Sequence, residues 1–114
     1  MKEIQTDDYL VSFDPDSSTA IIRGFLRLEG MEEYRPIMEF LLTAVEESSQ
    51  FTLNLRDLEF LNSSGISMLS MFVLKIREKG GVKLVLQGSN KVLWQTKSLK
   101  NLQRLMPSLT LEFT

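Results

Sequence analysis

Between residues 20 and 45 the spacing of apolar residues changes from every second position to every third or fourth. Ala20, Ile22, Gly24, Leu26 and Leu28 fall on one face of an extended chain, and Ile21, Arg23, Phe25, Arg27 and Glu29 on the other. Strict alternation with one wet face is the mark of a strand whose sheet is covered on one side only. Ile37, Phe40, Leu41, Ala44 and Val45 then follow the helical period. A strand that must hide one face, followed at once by a helix that must hide one stripe, restricts the chain to folds in which a helix covers a sheet.

The remaining segments repeat this arrangement. Tyr9–Phe13 alternates weakly and is joined to residues 20–29 by the turn cluster DPDSS, residues 14–18, which predicts an antiparallel hairpin. Gly30 ends the second strand. A helix is expected from about Glu32 to Ser48, starting near Glu32 or Glu33 because Pro36 is tolerated only in a first turn. FTLNL, residues 51–55, predicts a strand, and a short loop through Arg56, Asp57 and Glu59 follows it. ISMLSMFVLKIREKGG, residues 66–81, predicts a helix stopped by Gly80-Gly81, and VKLVLQ, residues 82–87, another strand. Val92-Leu93-Trp94 reads as an extended or loop segment that docks Trp94. Ser98 reads as the N-cap of a helix carrying Leu99, Leu102, Leu105 and Met106 and closed by Pro107. Leu109, Leu111 and Phe113 alternate in a final strand. The expected fold is α/β, a single domain over residues 1–114. An initial antiparallel hairpin is followed by parallel βαβ units, in a mixed sheet of about five strands with helices mainly on one face.

Composition narrows the chemistry. The 114 residues contain neither cysteine nor histidine. Disulfides, thiolate catalysis, the commonest general base and the commonest metal ligand are therefore excluded. No carboxylate spacing of the calcium-loop type appears, so no metal and no cofactor is expected. A net charge of −2 with scattered lysines and arginines argues against nucleic acid. No apolar run approaches the roughly 20 residues that span a bilayer, and the N-terminus MKEIQTDDYL has no signal-peptide core. A cytoplasmic domain without membrane insertion is expected. An enzyme is disfavoured: Ser63 as a nucleophile lacks a histidine base, and no spacing singles out Lys75 or Lys83 in its place.

The polar interruption FLNSSG, residues 60–65, is the candidate site. Ser63 and Ser64 open the helix predicted after it. The plain reading is a serine N-cap with Gly65 allowing a tight turn. Asn62-Ser63-Ser64 also fits the glycosylation pattern, which a chain without a secretory signal does not use. The third reading is a switch. A helix N-terminus offers free N–H donors and partial positive charge, and phosphate on Ser63 would add about −1.5 to −2 of charge to a neutral motif.

FLNSSGISML resembles the phosphorylation segment of STAS domains, the anti-sigma-factor antagonist family. There an apolar residue precedes Asp-Ser-Ser-Gly or Asp-Ser-Thr-Gly and an apolar helix follows. The first hydroxyl residue after the Asp, the one a partner kinase phosphorylates in that family, falls on Ser63. The family's Asp is Asn62 here, a departure that resembles the SiaC-type regulators, which carry Asn-Thr-Ser with the Thr phosphorylated. EFLNSSGISMLS and SLKNLQRLMPSL together are most similar to the small cyanobacterial regulators of that group. The resemblance implies a STAS-like fold, an anti-sigma-factor-antagonist-like regulator in a partner-switching system, a GHKL-type serine kinase and a PP2C-type phosphatase as partners, and supporting roles for Asn62, Ser64 and Gly65. The alternative is a non-phosphorylated STAS scaffold or small-ligand-binding module. Independently of the family, a helical wheel over residues 65–79 places Met68, Met71 and Lys75 opposite the core stripe. That makes a candidate partner surface, unless a neighbouring loop such as that of Trp94 covers the methionines. Oligomeric state is not legible.

Overall fold

The computed structural model describes residues 2–114. Its elements are β1 (Lys2–Gln5), β2 (Tyr9–Asp14), β3 (Thr19–Leu26), α1 (Gly30–Glu46), β4 (Gln50–Asn54), β5 (Leu58–Leu61), α2 (Ser63–Lys79), β6 (Lys83–Gly88), α3 (Leu93–Leu105) and β7 (Thr110–Phe113). The expected mixed α/β domain is present: β1, β2 and β3 are antiparallel neighbours, and β3, β4, β6 and β7 run parallel. The sheet has seven strands rather than about five, in the order β1-β2-β3-β4-β6-β7 with β5 also on β3. The two additions are β1 at the edge and β5, where the sequence reading had a loop.

The alternation of residues 20–29 decides which face is covered. Ala20, Ile22 and Leu26 are buried under the helices, while Arg23, Phe25 and Arg27 are exposed on the other side. In the hairpin, Val11 pairs with Ile22 and Phe13 with Ala20, so both strands send their apolar residues to the same face. The turn between them is held by Asp14, whose carboxylate accepts from the Asp16 N–H at 3.0 Å and the Ser17 hydroxyl at 3.0 Å. Phe13 stacks on Phe51 and Phe51 meets Phe72 edge to face, with centroids 5.9 Å and 6.0 Å apart, tying β2 to β4 and β4 to α2.

β3 makes two separate partnerships. Its first half pairs with β4 and its second half with β5, with an irregularity between Gly24 and Phe25. Gly24 has φ +99°, and a Cβ there would meet the Asp8 carbonyl oxygen, so only glycine fits. This break brings Leu61 beside Leu26 and thereby fixes where α2 begins.

Two helix starts differ from the sequence reading. α1 begins at Gly30, placing Pro36 in its second turn. Pro36 and Glu32 are both exposed, and proline has no N–H to donate to the Glu32 carbonyl. α3 begins at Leu93, five residues before the expected cap at Ser98. Trp94 and Gln95 hold this early turn. The Trp94 Nε1–H lies 3.2 Å from the Leu58 carbonyl and 3.1 Å from that of Glu59. Gln95, fully buried, donates to the Leu55 and Leu58 carbonyls and accepts from the Ser89 N–H at 2.8 Å. Among the described residues no helix is long and apolar enough to cross a membrane.

Candidate functional site

β5 delivers the chain to α2 with one residue between them. That residue, Asn62, is extended at φ −80°, ψ 177°, and its N–H donates to the Leu26 carbonyl at 3.2 Å. Its side chain then makes three bonds. Oδ1 accepts from the Gly65 N–H at 3.0 Å and from the Tyr34 hydroxyl at 2.6 Å, and Nδ2 donates to the Leu28 carbonyl at 2.7 Å. Asn62 is therefore the N-cap of α2. The amide orientation is fixed, because only the oxygen can accept from Gly65.

This corrects the assignment of roles among the hydroxyls. The plain reading of the sequence made a serine the N-cap. Instead Ser63 is the first residue of α2 and Ser64 the second. A serine at the cap could accept from Gly65, but it could not also donate to Leu28 while accepting from Tyr34, as the longer amide does. Neither serine hydroxyl has a hydrogen-bond partner among the described residues. Ser63 is exposed and Ser64 half-buried. The first turn of α2 contains no acidic residue.

Tyr34 and Gly65 complete the arrangement. Tyr34 is buried in α1, and desolvation pushes its pKa above the ordinary 10.0, partly offset by hydrogen bonding from the Leu28 backbone. Gly65 is needed for space: a Cβ would strike the Leu61 side chain and lie 2.8 Å from the Tyr34 hydroxyl. Sequence reasoning missed Tyr34. Its spacing with Ile37, Met38 and Leu41 was available as a signal, since residues three, four and seven apart share a helix face.

The residues expected to form a partner surface divide by burial. Met71 is 45% exposed and Lys75 is exposed, but Met68 is 0% exposed and belongs to the core. Met68 lies three residues after Gly65 and four before Phe72, both buried, so it shares their face. α2 packs between α1 and α3, which widens its buried arc beyond one stripe. The outward stripe of α2 runs instead through Ser63, Ser67, Met71 and Leu74. Across the sheet edge from the cap, Phe25 and Phe60 are adjacent and exposed at 40% and 43%, with the Arg27 guanidinium 5.4 Å and 6.0 Å from their centroids.

The site brings together an amide, a phenol hydroxyl and two serine hydroxyls. Among the described residues no group of three carboxylates could hold a metal ion. What it offers is a solvent-facing hydroxyl on a helix start whose cap is made by a different residue.

No protein-family model and no curated protein matches the sequence. Solved structures match over the whole chain. A chain of the complex between the diguanylate cyclase SiaD and its activator SiaC, from Pseudomonas aeruginosa, superposes with TM-score 0.73 at 13% identity, covering 100% of both chains. Apo-SiaC from the same organism gives TM-score 0.72 at 12% identity, covering 100% of this chain and 99% of that one. A further SiaC structure gives 0.65 at 15% identity, covering 100% and 97%. At such identities the likeness establishes a shared fold.

Proposed function

We propose that this chain is a phosphorylation-switched regulatory binding protein of a partner-switching system, not an enzyme, with Ser63 as its phosphoacceptor. The observation that carries the reading is the division of labour at the start of α2. Asn62 makes the cap, so the exposed Ser63 hydroxyl can be modified without costing the helix its N-terminal bond. Phosphate on Ser63 would lie near free N–H donors and meet no acidic residue in that turn. The fold would persist, and the partner would face a dianion that is costly to desolvate unless paired.

The partners follow from likeness. SiaC, whose fold this chain shares, is the activator of a diguanylate cyclase, which supports a signalling enzyme as downstream target. The resemblance of FLNSSGISML to STAS phosphorylation segments supports a GHKL-type kinase and a PP2C-type phosphatase. A cyanobacterial affiliation rests on EFLNSSGISMLS and SLKNLQRLMPSL alone. The partner surface is the outward face of α2, with Ser63 at its start, Met71, Leu74 and Lys75 further along the helix, and Met68 no longer part of it.

Wild type, Ser63→Ala and Ser64→Ala would be incubated with the purified partner kinase and ATP and weighed by intact-mass spectrometry. One phosphate on wild type and on Ser64→Ala, and none on Ser63→Ala, is expected. Incorporation that survives in Ser63→Ala and vanishes in Ser64→Ala would identify the other serine. No incorporation, with partner binding intact, would instead establish a non-phosphorylated scaffold.

A further inference from the structure

The two outer edges of the sheet are flanked by apolar grooves of opposite charge. Beside β1, a groove of about 450 Å³ runs between the hairpin and the outer flank of α1. Ile4, Phe13, Pro36 and Phe40 line it, and Glu39 and Glu47 are exposed on its rim. Beside β7, a groove of about 650 Å³ is lined by Pro107, Leu111 and Phe113, with exposed Lys100 and Arg104 supplied by α3. None of these four charged side chains is in an ion pair among the described residues; the pair found is Arg35–Glu32, on α1.

Strand direction makes the two edges compatible. β1 is antiparallel to β2, and β2 to β3; β3, β4, β6 and β7 are parallel. β1 and β7 therefore point the same way. Shifting one copy sideways along the sheet sets its β7 beside the β1 of the next copy, in parallel and with the helices on the same face. The same shift sets α3 of one copy against α1 of the next, and Lys100 and Arg104 against Glu39 and Glu47. Each edge also presents backbone donors and acceptors that pairing would satisfy.

We propose that this chain associates with itself head to tail, the β7 edge and basic groove of one copy docking on the β1 edge and acidic groove of the next. The contact uses two different surfaces, so nothing in it stops at two copies; sheet twist turns successive copies into an open helical row rather than a closed pair. Each edge strand has only four residues, which makes the contact weak and concentration-dependent. The outward face of α2 lies between the two edges and stays free, and the inference stands whether or not Ser63 is phosphorylated.

The test is sedimentation velocity of the full chain over a wide concentration range, at low and high salt. The expected result is a mean mass that rises with concentration past two copies and falls as salt is added. Two charge-reversed chains, Glu39→Lys with Glu47→Lys and Lys100→Glu with Arg104→Glu, should each stay monomeric with wild-type circular dichroism. Mixed in equal amounts they should associate again, since every interface in an alternating row then joins opposite charges. A wild type that stays monomeric throughout, a mass that saturates at two copies, or a mixture that fails to recover association would each overturn the proposal.

Discussion

Replacing Asn62 by Asp exchanges one amide NH₂ for an oxygen and leaves the shape of the side chain intact. Two of its three bonds survive, because a carboxylate oxygen still accepts from the Gly65 N–H and the Tyr34 hydroxyl. The new charge also sits at a helix N-terminus, which is favourable by about 0.3–1 kcal/mol. The third bond inverts. Nδ2 donates to the Leu28 carbonyl at 2.7 Å, and a carboxylate there sets two acceptors against each other. A part-buried carbonyl without its donor costs about 1–3 kcal/mol. The loss outweighs the dipole gain, so Asn62→Asp should lower stability at pH 7 by about 0.5–2 kcal/mol net. Protonation restores a donor. The folded state thus favours the protonated carboxyl and raises its pKa above the unfolded value, so the deficit is present at neutral pH and shrinks as pH falls through that raised pKa. Urea denaturation of both chains from pH 4 to 8 reads this directly. Equal stability at pH 7, or a deficit that does not shrink in acid, would refute the assignment of the Leu28 bond.

Met68→Glu should abolish or severely weaken cooperative folding, because it puts a carboxylate into a fully buried position, whereas Met71→Glu should stay within about 0.5 kcal/mol of wild type in the same denaturation assay. Gln95→Ala leaves the Ser89 N–H without its partner, while the Leu55 and Leu58 carbonyls keep the Leu58 N–H and the Trp94 Nε1–H, and should cost about 1–3 kcal/mol; hydrogen exchange should show the amide of Ser89 losing protection. The raised pKa of Tyr34 means that folding favours its protonated form, so its contribution is intact below pH 10.0 and is lost as pH rises through the folded value. Tyr34→Phe should therefore flatten the alkaline side of a melting-temperature profile, while lowering stability at neutral pH by removing the bond to Asn62.

The alternation of residues 20–29 and the turn at Asp14–Ser18 were legible because a one-sided sheet forces strict patterning on the strand that forms it. β1 was not. KEIQ has a single apolar residue, and it becomes a strand only because β2 offers it an edge. β5 was hidden by its charged approach through Arg56, Asp57 and Glu59, although Leu58 and Leu61 both end up buried. Ser98 carried a cap signal that the tertiary structure overrode: the side chains of Trp94 and Gln95 bind the β4–β5 segment and hold the preceding turn helical. At the candidate site, the position of Ser63 at a helix start was legible from the break in hydropathy. The identity of the cap was not, since it depends on Tyr34 and Leu28, about thirty residues away in the chain.

The contact among Gly65, Tyr34 and Asn62 has a consequence for inheritance. The Tyr34 hydroxyl and the Leu61 side chain occupy space that a side chain at 65 would need, and the hydroxyl is satisfied there because Asn62 accepts its hydrogen bond. A lineage that gains alanine at 65 must first make room at Leu61 and shed the hydroxyl at 34, and one that loses the amide at 62 leaves that hydroxyl stranded. The order of mutations therefore matters: a smaller residue at 61 together with Tyr34→Phe opens a route to larger residues at 65, while the same steps in reverse pass through a poorly folded ancestor. Four positions, Tyr34, Leu61, Asn62 and Gly65, should thus drift as a block, with the serine beside them free to change on its own.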